Sequence, residues 1–269
     1  MDIGLIVALL VLGTATGFAA GLLGIGGGML LVPFLTLLFT WRQYPLEHIV
    51  HLAIATSLAT ILFTSLSSVR AHHKRGAVLW PVVMLLAPGI LVGSLIGAQI
   101  AGRLPTFWLS MVFAVFVGFS ALQMLRNRKP KPSRELPKGA GMFGVGAGIG
   151  FISSLVGAGG GFISVPFMVW SNVKIHNAVA TSAALGFPIA AAGTIGYILA
   201  GQGAPGLPRG TFGFVYLPAL VTIAAASMLT APLGAKVAHS LDTKPLRRIF
   251  ASMLFVLAGY MAYKGFAAL

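Results

Sequence analysis

Two glycine-rich stretches carry the spacing most suggestive of chemistry: GLLGIGGGMLLVPFL at Gly21 to Leu35 and SLVGAGGGFISVPFM at Ser154 to Met168. In each, a run of glycines, Gly26, Gly27 and Gly28 or Gly159, Gly160 and Gly161, directly precedes an apolar segment. A helix starting at Gly27 or Gly28, and another at Gly160 or Gly161, leaves its first N–H groups without intrahelical partners and points a positive dipole end outward. Glycine lets an oxyanion approach those N–H groups closely, so a sulfonate or sulfite can be held without a buried counter-charge. The competing reading is tight helix packing, for which membrane helices use small residues. Recurrence of the run at the start of two short segments favours a site. A phosphate loop is excluded, because Met29 or Phe162 stands where Gly-Lys-Ser/Thr is required.

Hydroxyl groups follow each motif. VHLAIATS at Val50 to Ser57 matches IHNAVATS at Ile175 to Ser182, placing Thr56, Ser57, Thr181 and Ser182 inside the next helices as candidate substrate contacts. Their alternative role is a hydrogen bond to a carbonyl one turn earlier. His51 and His176 are the titratable side chains that both copies share near the membrane, and they are candidates for proton coupling or for an interfacial position. Gln99 aligns with Lys236, whose stem can snorkel to the interface, and Asn172 follows the second short segment; Gln99 and Asn172 are candidate polar lining. No metal site or cofactor is expected: there is no cysteine and no HExxH motif. All four acids, Asp2, Glu47, Glu135 and Asp242, fall in termini or connections, which argues against an aspartyl protease and a carboxylate-coupled cation carrier.

The elements that position these groups are themselves duplicated. The glycine motifs are offset by 133 residues and the ATS elements by 125, so the loop around Trp41 to Glu47 is expected to be eight residues longer in the first copy. LIGAQ at Leu95 to Gln99 then matches PLGAK at an offset of 137. With 57% hydrophobic and 8% charged residues and a mean hydropathy of +0.95, the chain is predicted to be an all-α polytopic membrane protein. Apolar segments are expected at 3–21, 28–40, 48–69, 78–101, 107–125, 139–156, 161–170, 175–199, 212–238 and 246–266, five per half and about eight to ten membrane elements in all. The second of each five is too short to span: 13 residues cover only about 20 Å of the roughly 30 Å core. These broken or re-entrant helices place irregular backbone at membrane depth, where it must be buried or line a watery cavity.

An odd number of segments per half predicts inverted-topology repeats, residues 1–125 and 139–269, joined by a basic linker at 126–138. With the N- and C-termini outside and the linker cytoplasmic, 14 of the 18 Lys and Arg fall inside. The linker RNRKPKPSRELPK then sets topology and touches lipid headgroups; nucleic acid is not an expected partner. The N-terminal apolar run carries Asp2 in place of a basic n-region, so it is read as a retained membrane segment of a multi-pass protein of the plasma (inner) membrane.

The two glycine motifs, each followed by HxAxATS, resemble the TauE/SafE sulfite and organosulfonate exporter family, of the 4-toluene sulfonate uptake permease type. The resemblance covers nearly the whole chain, and it implies a transporter of small anions such as sulfite, sulfoacetate or other organosulfonates. The expectation is a secondary transporter working by alternating access around a midplane site built from the paired glycine motifs. A non-transporting assembly or sensor subunit, with the glycines serving packing alone, is the competing class. No enzymatic activity is expected.

Overall fold

The computed structural model describes residues 3–23, 27–126, 135–237 and 243–268. Five helices come from the first half: α1 (Ile3–Leu23), α2 (Gly28–Trp41), α3 (Ile49–His73), α4 (Trp80–Ala101) and α5 (Thr106–Arg126). The second half gives α6 (Ala140–Val156), α7 (Gly161–Trp170), α8 (Ile175–Ala200), α9 (Leu217–Val237) and α10 (Thr243–Phe266). Seven of these helices are long and apolar enough to cross a membrane, and α2, α6 and α7 are shorter. Large apolar side chains such as Met84, Val115, Val221, Leu229 and Val256 face outward along them. In water such a surface would drive aggregation; in a bilayer it is the solvated face. The protein is an all-α polytopic membrane protein.

Two sequence expectations change. The segment expected to begin at Phe212 starts five residues later, at Leu217. Before it, β1 (Thr211–Phe212) and β2 (Val215–Tyr216) form an antiparallel hairpin that turns on Gly213, whose φ of 56° is left-handed. Nor does the eight-residue insertion lie wholly in a loop. Trp41 and Trp170 end α2 and α7 at equivalent places, each followed by a capping residue and then a left-handed residue, Gln43 or Asn172. The 14-residue α2 is thus one turn longer than the 10-residue α7, and the rest of the insertion is in the connection before α3.

Helices of the two halves interleave. α1 packs chiefly on α9, α6 on α4, α5 on α10, and α3 on α8. Close approach at the first two interfaces depends on glycine. A Cβ at Gly13 would meet the Ile223 carbonyl, and one at Gly17 would meet the Ser227 backbone; a Cβ at Gly146 would meet the Leu86 carbonyl, and one at Gly150 the Ile90 carbonyl. Each pair in α1/α9 corresponds to a pair in α6/α4 at the sequence offsets of 133 and 137. Bare backbone in both interfaces gives the dense van der Waals contact that associates helices in lipid.

The connections gather at two ends. At one, Tyr44 donates a hydrogen bond to Tyr216 (3.0 Å), and Thr106 donates to the carbonyls of Leu46 and Glu47. At the other, Asn177 donates to the Ala77 carbonyl (3.0 Å) and the Trp80 indole donates to His73 (3.1 Å). Arg70, Lys74 and Arg75 belong to this second, basic end.

Candidate substrate-binding site

Both glycine motifs become helix starts. Gly27 (φ 67°, ψ −15°) caps α2 and Gly160 (φ 74°, ψ −5°) caps α7; this left-handed conformation strongly favours glycine. The Gly27 carbonyl accepts from the N–H groups of Leu30 and Leu31, at 3.1 and 3.2 Å. The Gly160 carbonyl likewise accepts from Ile163 and Ser164, at 3.0 and 2.9 Å. Gly28 and Met29, and Gly161 and Phe162, carry N–H groups that a helix's first turn leaves without intrahelical acceptors. The motifs also touch: a Cβ at Gly28 would collide with the Gly157 carbonyl, which accepts a hydrogen bond from Ser57 Oγ at 2.9 Å. Gly26 lies outside the described residues.

Beside the second motif lies a small cavity, partly open to the outside. Gly159 forms its motif side; Thr64, Ser65 and Ser68 of α3 and Ser182 of α8 supply hydroxyls; Ala20 of α1 and Ala231 of α9 close the remainder. Ser182 accepts a hydrogen bond from Ser164 Oγ at 2.7 Å, so the α7 start and the α8 hydroxyl are joined. Ser68 stands two residues before Arg70, which puts the cavity between the motif and the basic end. Among the described residues its lining contains no acidic or basic side chain.

The other sequence-selected residues take different positions. Thr56 and Thr181 are fully buried, and each accepts a backbone N–H from the opposite half at 3.0 Å: Thr56 from Tyr216, ahead of α9, and Thr181 from Leu79, ahead of α4. These two bonds are equivalent under the repeat, so the threonines fasten each half's fourth helix to the other half's third. His51 is 2% exposed, and its Nε2 donates to the carbonyls of Ala101 (3.1 Å) and Leu104 (3.0 Å), while His176 is exposed. Gln99 donates to the Gly196 carbonyl at 2.7 Å and ties α4 to α8; its counterpart Lys236 is exposed. Asn172 (φ 65°) is the exposed turn residue that terminates α7.

Residues 9–261 match the model of the family described as sulfite exporter TauE/SafE. The chain belongs to the TauE/SafE family. A probable membrane transporter protein of Haemophilus influenzae is 35% identical over 95% of this chain and 97% of its own length. The probable membrane transporter protein YunE of Bacillus subtilis is 29% identical over 96% of this chain and 98% of its own. MJ0441 of Methanocaldococcus jannaschii, also named a probable membrane transporter protein, is 28% identical over 94% of each chain. No solved structure matches. Family and relatives together identify a membrane transporter.

In this TauE/SafE member, Thr64, Ser65 and Ser68 escaped a reading keyed to duplicated residues, because their counterparts at the 125-residue offset are Ile189, Ala190 and Gly193. A signal was present. Four of the five residues from Thr64 to Ser68 are Ser or Thr.

Proposed function

We propose that this protein is a secondary transporter of a small oxyanion, sulfite or an organosulfonate, held at the glycine motifs and exchanged between the two membrane faces by alternating access. The observation that carries the reading is the cavity, in which Gly159, one residue before the α7 cap, shares a wall with Ser182, Thr64, Ser65 and Ser68. Helix-terminal N–H groups and neutral hydroxyls are donors suited to sulfite or sulfonate oxygens. Placing them without a buried lysine or arginine lets the anion leave as readily as it enters.

In this reading residues 1–125 and 139–269 are inverted repeats around one midplane site, with the 126–138 linker cytoplasmic and both termini outside the plasma membrane. Gly26 to Gly28 with Ser57, and Gly159 to Gly161 with Ser182, are its two equivalent halves. Thr56 and Thr181 hold the frame around it.

The test is flux in proteoliposomes. Purified protein is expected to move radiolabelled sulfite or sulfoacetate, and Ser182→Ala is expected to raise the half-saturating concentration while the protein stays folded. Absence of flux and of thermal stabilisation by any member of a sulfite and organosulfonate panel would overturn the substrate assignment.

A further inference from the structure

The cavity is one-sided. Carrying its lining through the repeat, with offsets of 133 for α1/α6, 125 for α3/α8 and 137 for α4/α9, gives a mirror set in the opposite half of the membrane. Ala20 maps to Ser153, Ala231 to Ser94, Ser182 to Ser57, Ala183 to Leu58 and Ser68 to Gly193. Ile61 and Gly186 exchange with each other, and both line the cavity, so they sit where the two halves meet.

In the structure the mirror set is shut. Ser57, Leu58, Ser94, Ser153 and Gly193 are all buried. Leu58 packs onto Gly193, where an added Cβ would lie 2.9 Å from Leu58 Cδ1. The equivalent residues, Ala183 and Ser68, both line the open cavity. The shut half also holds an anomaly. Ser94 Oγ and Ser153 Oγ are buried with no hydrogen-bond partner among the described residues. A buried hydroxyl without a partner costs about 1–3 kcal/mol, and native structures keep few of them. Two of them occupy the positions that the repeat maps from cavity-lining residues.

We propose that these residues form the second, alternately exposed half of the transport path. Leu58 against Gly193 is its gate, and Ser94, Ser153 and Ser57 become its hydroxyl lining when the gate parts and the Thr64–Ser68 side closes. The inference rests on the transporter reading and adds the residues of the state that the structure does not display. In that state Ser94 and Ser153 gain water or substrate as partners, which gives their present isolation a function.

The chain contains no cysteine, so single cysteines report without background. Ser68→Cys, Ser94→Cys, Ser153→Cys and Ser110→Cys are reconstituted separately and exposed to an impermeant maleimide from one side or the other. Ser68→Cys is expected to react from the basic side. Ser94→Cys and Ser153→Cys are expected to react from the opposite side, about 10- to 1,000-fold more slowly, as for a state populated at about 0.1–10%. Ser110 is a buried hydroxyl that also lacks a partner but lies outside the mirror set, and its cysteine is expected to stay unlabelled from both sides. Oxidising a Leu58→Cys/Gly193→Cys pair is expected to stop flux until it is reduced. Silence of both Ser94→Cys and Ser153→Cys, or reaction from the same side as Ser68→Cys, would overturn the proposal. Labelling needs no substrate, so its outcome is independent of whether sulfite proves to be the cargo.

Discussion

Substituting alanine at two glycines, Gly28 and Gly186, should have opposite effects on stability. At Gly28 the added methyl would run into the Gly157 carbonyl and the Ala158 backbone, neither of which can swing aside as a flexible side chain can. Overpacking of this kind costs about 1–3 kcal/mol. Moving the carbonyl also weakens the hydrogen bond from Ser57, a bond of a kind worth about 1 kcal/mol. Loss of glycine's unfolded-state freedom returns about 0.4–1 kcal/mol. The net expectation is a loss of about 1–3 kcal/mol, lowering the melting temperature in detergent by roughly 2–12 °C at about 2–4 °C per kcal/mol. At Gly186 the methyl would meet Ser65 Cβ at 3.5 Å and the Gly159 carbonyl oxygen at 3.8 Å, which is ordinary contact. Mid-helix alanine is better than glycine by roughly 0.5–1 kcal/mol, so this variant should melt higher while its methyl narrows the cavity and slows flux. Thermal unfolding of the two purified variants, read with flux in proteoliposomes, checks both signs. If Gly28→Ala melts with the parent, or Gly186→Ala melts below it, the reasoning from close approach fails.

Thr56→Val and Thr181→Val each leave a buried N–H, of Tyr216 or Leu79, without its acceptor and are expected to cost about 1–3 kcal/mol apiece. Chemical denaturation should give nearly additive losses for the double variant, because the two bonds share no partner. Ser182→Ala is expected to weaken apparent substrate affinity and, because it leaves the buried Ser164 hydroxyl without its acceptor, to cost about 1–3 kcal/mol of stability; equal affinity in a flux titration would remove Ser182 from the site. The Tyr44 phenol is raised above its usual range by burial first and then by its hydrogen bond to Tyr216. A raised folded-state value means that its stabilising contribution is complete below about pH 10 and is lost as pH climbs through that raised value. Tyrosinate absorbance of the parent against Tyr44→Phe should therefore show the Tyr44 signal arriving above about pH 10, and ionisation in the ordinary range would contradict the burial.

The helices were legible because ten apolar runs, bounded by prolines, glycines and charges, have few other ways to satisfy their backbone in lipid. The hairpin at 211–216 was hidden because Phe212, Phe214, Val215 and Tyr216 extend the apolar run of α9, and hydropathy does not register the left-handed Gly213. The paired glycine caps could be read, since both copies carry the same residues and adopt the same conformation. Of the cavity, Gly159 and Ser182 could be read but Thr64, Ser65 and Ser68 could not, because their counterparts are Ile189, Ala190 and Gly193. His51 and His176 show the converse: one sequence pattern, but one ring buried against two carbonyls and the other exposed. Duplication finds what the halves share, and the cavity's α3 hydroxyls lie where they differ.

The interleaving of the helices also bears on synthesis. The glycine face of α1 has its main partner in α9, beyond the linker. Until some 200 further residues have been inserted, Gly13 and Gly17 must be covered by lipid or by the insertion machinery. By contrast α6 finds α4 already in place. A chain stopped at the linker would carry α1 and α4 without their main partners, α9 and α6. The α1 interface can therefore form only after α9 has been made.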